Sequence, residues 1–264
     1  MPRISFRTAL VTGASSGLGA EYARQLAARG TDLILVARRF DRLEALGAAL
    51  RAKHGVSIEV VKADLADAED VGRVERLIAE GMIIDLLVNN AGFAGRTGFV
   101  KGGTADHIGM VRVHVDAAVR LIRAALPGMI ERGRGAVINV ASVAAFSPFS
   151  GAMYSGTKAF LVMFSENLQA EVRSKGIVIQ ALCPGLTHTE FHAVADMDLS
   201  AVPKSIWQTA EKVVCTSLRR LGRGVVCVTG FPNKVGAFLM RCPLTVGAFR
   251  AVGRSRPFRR TTKR

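Results

Sequence analysis

The chain has 264 residues, 49% of them apolar, which suits one α/β domain or two small ones around a large buried core. Its formal charge of +15 is unevenly spread: from Arg219 to Arg264 there are 12 cations and no acid, so the rest of the chain is close to neutral. The longest uncharged run, Gly135 to Thr157, is interrupted by Asn139, Ser142, Ser147, Pro148, Ser150 and Ser155, which argues against a membrane-spanning helix.

Arg3 and Arg7 precede only Ala9-Leu10-Val11, an apolar stretch too short for a signal peptide. A cytoplasmic protein is therefore expected, with Cys183, Cys215, Cys227 and Cys242 as reduced thiols. Their spacing pairs none of them as metal ligands, so no metal site is expected. The first strand is read at Thr8 to Thr12. It runs into Thr12-Gly13-Ala14-Ser15-Ser16-Gly17-Leu18-Gly19 and a helix to Arg29, with Leu18, Tyr22 and Leu26 on one face. A glycine turn between a first strand and a first helix offers free N–H groups and a helix N-terminus to an anionic pyrophosphate.

A second strand, Asp32 to Ala37, ends at Arg38-Arg39. The helix Phe40 to His54 follows, with Leu43, Leu46 and Leu50 as its stripe. Next come a strand at Ser57 to Lys62, a helix at Ala66 to Glu80 and a strand at Ile84 to Asn89. A long helix is predicted from about Ala105 to Arg132, a strand at Gly135 to Val140, and a helix at Met153 to Lys175. The strand Ile177 to Cys183, a helix at Pro203 to Leu221 and a last strand at Val225 to Val228 complete the pattern. Apolar strands alternating with amphipathic helices imply a doubly wound parallel sheet of the Rossmann type, with its ligand crevice at the strand carboxyl ends. The expected organisation is one catalytic domain over residues 1–230 and a basic C-terminal extension over 231–264.

Gly13, Gly17 and Gly19 have the spacing of the short-chain dehydrogenase/reductase family, and further motifs strengthen the resemblance. Asp64 and Leu65 follow the third strand, Asn89-Asn90-Ala91-Gly92 ends the fourth, and Pro184-Gly185-Leu186-Thr187-His188-Thr189 follows the sixth. Tyr154-Ser155-Gly156-Thr157-Lys158 matches the family's YxxxK, with Ser142 upstream after the fifth strand. The resemblance spans about Arg7 to Gly230. It implies a dinucleotide held by Gly13, Gly17, Leu18, Gly19, Asp64, Leu65, Asn90, Ala91, Gly92, Pro184, Gly185, Thr187 and Thr189, with Tyr154 and Lys158 also touching it. It also implies a dimer or tetramer.

At the end of the second strand, dinucleotide folds selective for NAD place an acid against the ribose 2′-hydroxyl. Arg38 stands in that place, and its guanidinium fork suits a 2′-phosphate, so NADP(H) is the expected cofactor, with Ser15 or Ser16 adding a hydroxyl contact. Ketone reduction needs a proton donor at oxygen while hydride reaches carbon. A phenol has a pKa of about 10. A lysine about 4 Å away can lower it by several units at moderate dielectric. The implied roles are Tyr154 as acid/base, Lys158 as pKa-lowering cation and ribose anchor, and Ser142 as donor to the substrate oxygen. Many family members carry an Asn in the long helix as part of a proton relay through water to the lysine. The matching position here is His114, which can donate and accept but is bulkier and could change charge near neutral pH.

The segment from His188 to Val202, with Phe191, Met197 and Leu199, is expected to cover the substrate, alongside Phe146, Phe149 and Trp207. No cationic cluster lies there, which favours an apolar carbonyl or alcohol such as a fatty acyl, steroid-like or terpenoid compound. The extension mixes Phe238, Leu239, Met240, Leu244, Val246, Phe249, Val252 and Phe258 with its cations. It reads either as a subunit contact with a basic end, or as a lip on an anionic membrane surface or acidic partner. Nucleic acid is disfavoured because no recognition module accompanies the charge. The competing reading of the whole chain is a nucleotide-binding or partner-associated protein that keeps the fold without the chemistry.

Overall fold

The computed structural model describes residues 5–95, 97–147, 150–191, 203, 206–242, 244, 245 and 247. Seven parallel strands form the main sheet: β1 (Thr8–Thr12), β2 (Asp32–Ala37), β3 (Ile58–Lys62), β4 (Leu86–Asn89), β5 (Gly135–Val140), β6 (Ile177–Cys183) and β9 (Val226–Val228). Their order is β3-β2-β1-β4-β5-β6-β9, and two residue pairs, β7 (Thr187–His188) and β8 (Gln208–Thr209), make a small second sheet. The order reverses between β1 and β4, so the crevice expected of a doubly wound sheet opens beyond the ends of those two strands.

Alternation along each strand builds the layers. Ala9, Val11, Leu33, Leu35, Leu86 and Val88 face one side of the sheet. There they pack with Tyr22 and Leu26 of α1 (Gly17–Ala27), Leu43 and Leu50 of α2 (Phe40–His54), and Val213 and Val214 of a later helix. The intervening Leu10, Ile34, Val36, Leu87 and Val137 face the other side. They pack with Val74 of α3 (Ala68–Ala79), Leu121 and Met129 of α5 (Ala117–Glu131), and Leu168 of α6 (Ala152–Val172). A strand buried on both faces is apolar at most positions, which is why these segments read as nearly continuous apolar runs.

Three departures from the sequence expectation have physical causes. The long helix is α4 (Thr104–Val111) joined to α5 through one π-helical turn, Arg112–Asp116, a local widening frequent at functional sites. The helix expected from Pro203 begins only at Ala210, as α7 (Ala210–Arg220). Gln208 and Thr209 are committed to β8, and the Thr209 hydroxyl caps α7 by accepting the Lys212 N–H at 3.2 Å. The extension contains a helix, α8 (Phe231–Arg241), with a proline in its first turn and an arginine in its last. Ala237 is buried against the domain, and Asn233 donates to the Thr229 carbonyl at 2.9 Å.

No helix among the described residues is long and apolar enough to cross a membrane. The cations from Arg250 to Arg264, and Phe149, Met197 and Leu199, lie outside the described residues.

Candidate active site

The glycine loop is welded to the end of β4. The Thr12 hydroxyl donates to the Val88 carbonyl at 3.3 Å and accepts the backbone N–H groups of Asn90 and Ala91 at 2.9 and 3.0 Å. The Asn90 side chain donates to the Thr12 carbonyl at 2.8 Å. These bonds press the two loops together. Gly13, at φ +65°, lies so near that a Cβ would meet the Ala91 Cα at 2.9 Å. A Cβ on Gly19 would collide with the Gly13 carbonyl oxygen. Loop and helix can therefore approach only as glycines. Ser16 takes the N-cap position of α1 without making a side-chain cap bond, so the first N–H groups of that helix remain available to an anion. Leu18 packs partly buried against the core.

Beside this loop the two arginines after β2 take different places. Arg38 is mostly exposed, 3.7 Å from the Asp64 carboxylate. Arg39 reaches the glycine loop itself, donating to the Ser15 hydroxyl at 3.1 Å and the Ser16 hydroxyl at 2.6 Å. Asp64 accepts the Ala66 N–H at 3.0 Å, and Leu65 is buried. Beyond β6 the Pro184 carbonyl accepts the Val143 N–H at 3.0 Å, tying that loop to the turn after β5. Thr187 donates to the Gly185 carbonyl at 2.9 Å, and Thr189 crosses over Gly17, 3.4 Å from where its Cβ would be.

Ser142, Tyr154 and Lys158 meet at the carboxyl end of β5. Ser142 leaves the strand and caps a 3₁₀ turn, Val143–Phe146, accepting the Ala144 N–H at 3.1 Å. Its hydroxyl also hydrogen-bonds the Tyr154 phenol. Lys158, one turn further along α6, is 4% exposed. Its ammonium donates to the Val140 carbonyl at 2.7 Å and stands 5.8 Å from the centre of the Tyr154 ring. Phe191 and His114 flank that ring, with centroids 5.8 and 6.0 Å away.

A sequence model of the family described as short chain dehydrogenase matches residues 7–199. The chain belongs to that family. An uncharacterized oxidoreductase of Myxococcus xanthus is 39% identical over 195 residues, covering 73% of this short-chain dehydrogenase and 77% of that protein. The very-long-chain 3-oxoacyl-CoA reductase of Anas platyrhynchos is 33% identical over 192 residues, covering 71% of this chain and 62% of the reductase. Among solved structures, a short-chain dehydrogenase from Sphingobium yanoikuyae in complex with NADPH superposes with a TM-score of 0.81. It is 34% identical, and the match covers 97% and 98% of the two chains.

The electrostatics of this short-chain dehydrogenase differ from the sequence expectation of a phenol lowered by its lysine. Burial pushes the Tyr154 phenol up to about 12, and the hydrogen bond from Ser142 only partly opposes it. Burial also brings the Lys158 ammonium down to about 8. In the protein alone, desolvation is the largest influence on both groups. His114 is 1% exposed, and burial followed by the nearby Lys158 charge holds its pKa well below the usual range, so it stays neutral. Its Nε2 accepts the Phe93 N–H at 3.0 Å, which leaves the proton on Nδ1 to face the Thr157 hydroxyl at 2.9 Å. Thr157 in turn donates to the Tyr154 carbonyl at 3.1 Å. Both ring nitrogens are thus engaged by protein partners. Gly92 lies against the same ring and the Lys158 ammonium.

Thr12, Arg42 and Glu190 were not singled out by the sequence. Thr12 was visible only as the last residue of a strand and the first of the glycine motif. Glu190 pairs with Arg39 and Arg42 across about 150 residues of chain, and no local spacing announces such a contact.

Proposed function

We propose that this chain is an NADP(H)-dependent oxidoreductase that interconverts a ketone and a secondary alcohol on an apolar, acyl-like substrate. The observation that carries the reading is the Ser142–Tyr154–Lys158 cluster at the same sheet edge as the glycine loop and its arginines. The residues present fit a dinucleotide. Gly13 and Gly19 let the glycine loop close on itself and on the end of β4, the α1 N-terminus is open to a pyrophosphate, and Arg38 and Arg39 suit a 2′-phosphate. Asp64, Leu65, Asn90, Ala91 and Gly92 would hold the adenosine and ribose side. Pro184, Gly185, Thr187 and Thr189 would hold the reacting end, where Lys158 would anchor the ribose.

NADPH, when bound, supplies the hydride that reduces the carbonyl carbon. Tyr154 gives its phenolic proton to the carbonyl oxygen, and Ser142 donates a hydrogen bond to that oxygen as negative charge builds on it. Lys158 stabilises the phenolate left on Tyr154. With the phenol near 12 and the lysine near 8, both protons needed for reduction are in place at neutral pH, so the resting enzyme is prepared for the carbonyl. His114 acts as a positioning residue, fixing Thr157 and through it the start of α6. Phe191, against the Tyr154 ring, gives the substrate side apolar surface, whereas Phe146 lies under the Arg241 guanidinium at 5.3 Å and Trp207 stacks on His188 at 4.7 Å. The resemblance to a very-long-chain 3-oxoacyl-CoA reductase supports an acyl ketone.

The test is NADPH oxidation against apolar ketones and 3-oxoacyl thioesters, with short polar 2-oxo acids as comparators. Turnover of the apolar set, better with NADPH than NADH, is expected. NADPH binding without turnover of any carbonyl would favour the non-catalytic reading. A second expectation concerns the phosphate end. Arg39→Ala should weaken NADPH binding roughly tenfold or more and leave NADH unchanged, because a charge-assisted bond contributes about 1.5–3 kcal/mol. Arg38→Ala should do the same less strongly. Unaltered NADPH affinity in both variants would remove the assignment to NADP.

A further inference from the structure

The phosphate end of the groove contains an anion of the protein's own. Glu190, two residues beyond β7, reaches back over the glycine loop to the start of α2. Its carboxylate accepts from the Arg39 guanidinium at 3.1 Å and from the Arg42 guanidinium at 2.9 and 3.0 Å. Arg39 and then Arg42 hold this carboxyl below its ordinary range, so it is an anion at every pH at which the enzyme would work. Arg39 is the same side chain that bonds Ser15 and Ser16. Its fork is therefore shared between the glycine loop and Glu190.

We propose that Glu190 is a specificity-determining residue, an internal carboxylate that competes with the cofactor's 2′-phosphate for Arg39 and Arg42. The proposal rests on the NADP(H) reading. Two anions cannot share one guanidinium edge without repelling each other, so a 2′-phosphate gains those arginines by displacing Glu190. A 2′-hydroxyl carries no charge and has no need to displace it. The exchange is feasible because Glu190, Arg39 and Arg42 are each about half exposed, and ion pairs in that setting are weak. A phosphate dianion with more acceptor oxygens outcompetes such a pair, at a reduced net affinity.

The neighbours of Glu190 give the exchange a route to the chemistry. Thr189 packs over Gly17, and Phe191 lies against the Tyr154 ring. Three consecutive residues thus touch the phosphate loop, the phosphate-binding arginines and the proton donor. Releasing the middle one loosens an arm whose next residue borders Tyr154.

The test compares dissociation constants for NADPH and NADH, from quenching of intrinsic fluorescence, in the wild-type chain and in Glu190→Gln. Removing the charge from an exposed, doubly paired carboxylate should tighten NADPH binding roughly two- to tenfold and leave NADH binding within twofold. The NADPH gain should vanish in the double variant Glu190→Gln/Arg39→Ala. Equal changes for both cofactors, or weaker NADPH binding in Glu190→Gln, would overturn the competition. A wild-type chain that binds NADPH no better than NADH would instead overturn the cofactor reading beneath it. Glu190 is exposed, so its amide variant should fold normally, and a circular dichroism melt checks that.

Discussion

Tyr154→Phe is expected to fold, to bind NADPH within about twofold of the wild type, and to lose at least two to three powers of ten in carbonyl reduction. A positioned general acid contributes about 10²–10⁴ in rate, and here no other described side chain can replace the lost proton. Ser142 accepts the Ala144 N–H, and its own hydroxyl is far too weak an acid to replace the phenol. Lys158 directs its ammonium to the Val140 carbonyl. Phenylalanine keeps the ring edge against His114 and the contact with Phe191, so little packing is lost. The variant therefore separates proton transfer from architecture. Fluorescence titration gives the binding constant, and single-turnover NADPH oxidation gives the chemical rate. Carbonyl reduction at near wild-type rate in a folded variant would rule out Tyr154 as the donor.

The fold was legible in the sequence because a doubly wound sheet writes itself as period. β1, β2, α2, β5 and β6 occupy the segments expected of them, since strands buried on both faces are apolar at most positions. What escaped was set by contacts across the chain or by caps. The π turn at Arg112–Asp116 leaves the apolar stripe intact, so periodicity reads straight through it. α8 was hidden in a segment dominated by its charge, although Pro232 and Arg241 are fitting residues for its two ends.

Within the site, the glycine loop, Ser142, Tyr154 and Lys158 were legible as spaced motifs. The arginines were harder. Sequence position favoured Arg38 because it replaces the acid of NAD-selective folds. The structure directs Arg38 toward Asp64 and brings Arg39 onto Ser15 and Ser16. Which of two adjacent side chains turns toward a loop depends on how the chain leaves the strand, and no residue pattern encodes that locally. The balance at the phenol was hidden for a related reason. A Coulomb estimate from one neighbouring lysine omits the desolvation of both groups, and here that burial is the larger effect.

Lys158→Met should inactivate the enzyme and, near neutral pH, make it more stable. Burial lowers the lysine from 10.5 to about 8, so the folded state binds this proton less well than the unfolded chain. Below pH 8 both states are protonated and the fold bears the whole cost of the buried charge. Between pH 8 and 10.5 the unfolded chain holds more protons than the folded one, so wild-type stability rises with pH across that window. The full difference is about 3 kcal/mol. Loss of the bond to the Val140 carbonyl returns about 1 kcal/mol. Urea titration at pH 7 should therefore place the Met variant's midpoint above the wild type's, and the gap should narrow toward pH 10. Over the same range wild-type carbonyl reduction should fall above pH 8, about tenfold per unit, as the ammonium facing Tyr154 loses its proton. A lower midpoint for the variant at pH 7, or a gap that does not change with pH, would mean that the buried lysine is not held at a cost. A buried charge that burdens the fold at the pH where the reaction runs is what a group retained for its chemistry, not its packing, should show.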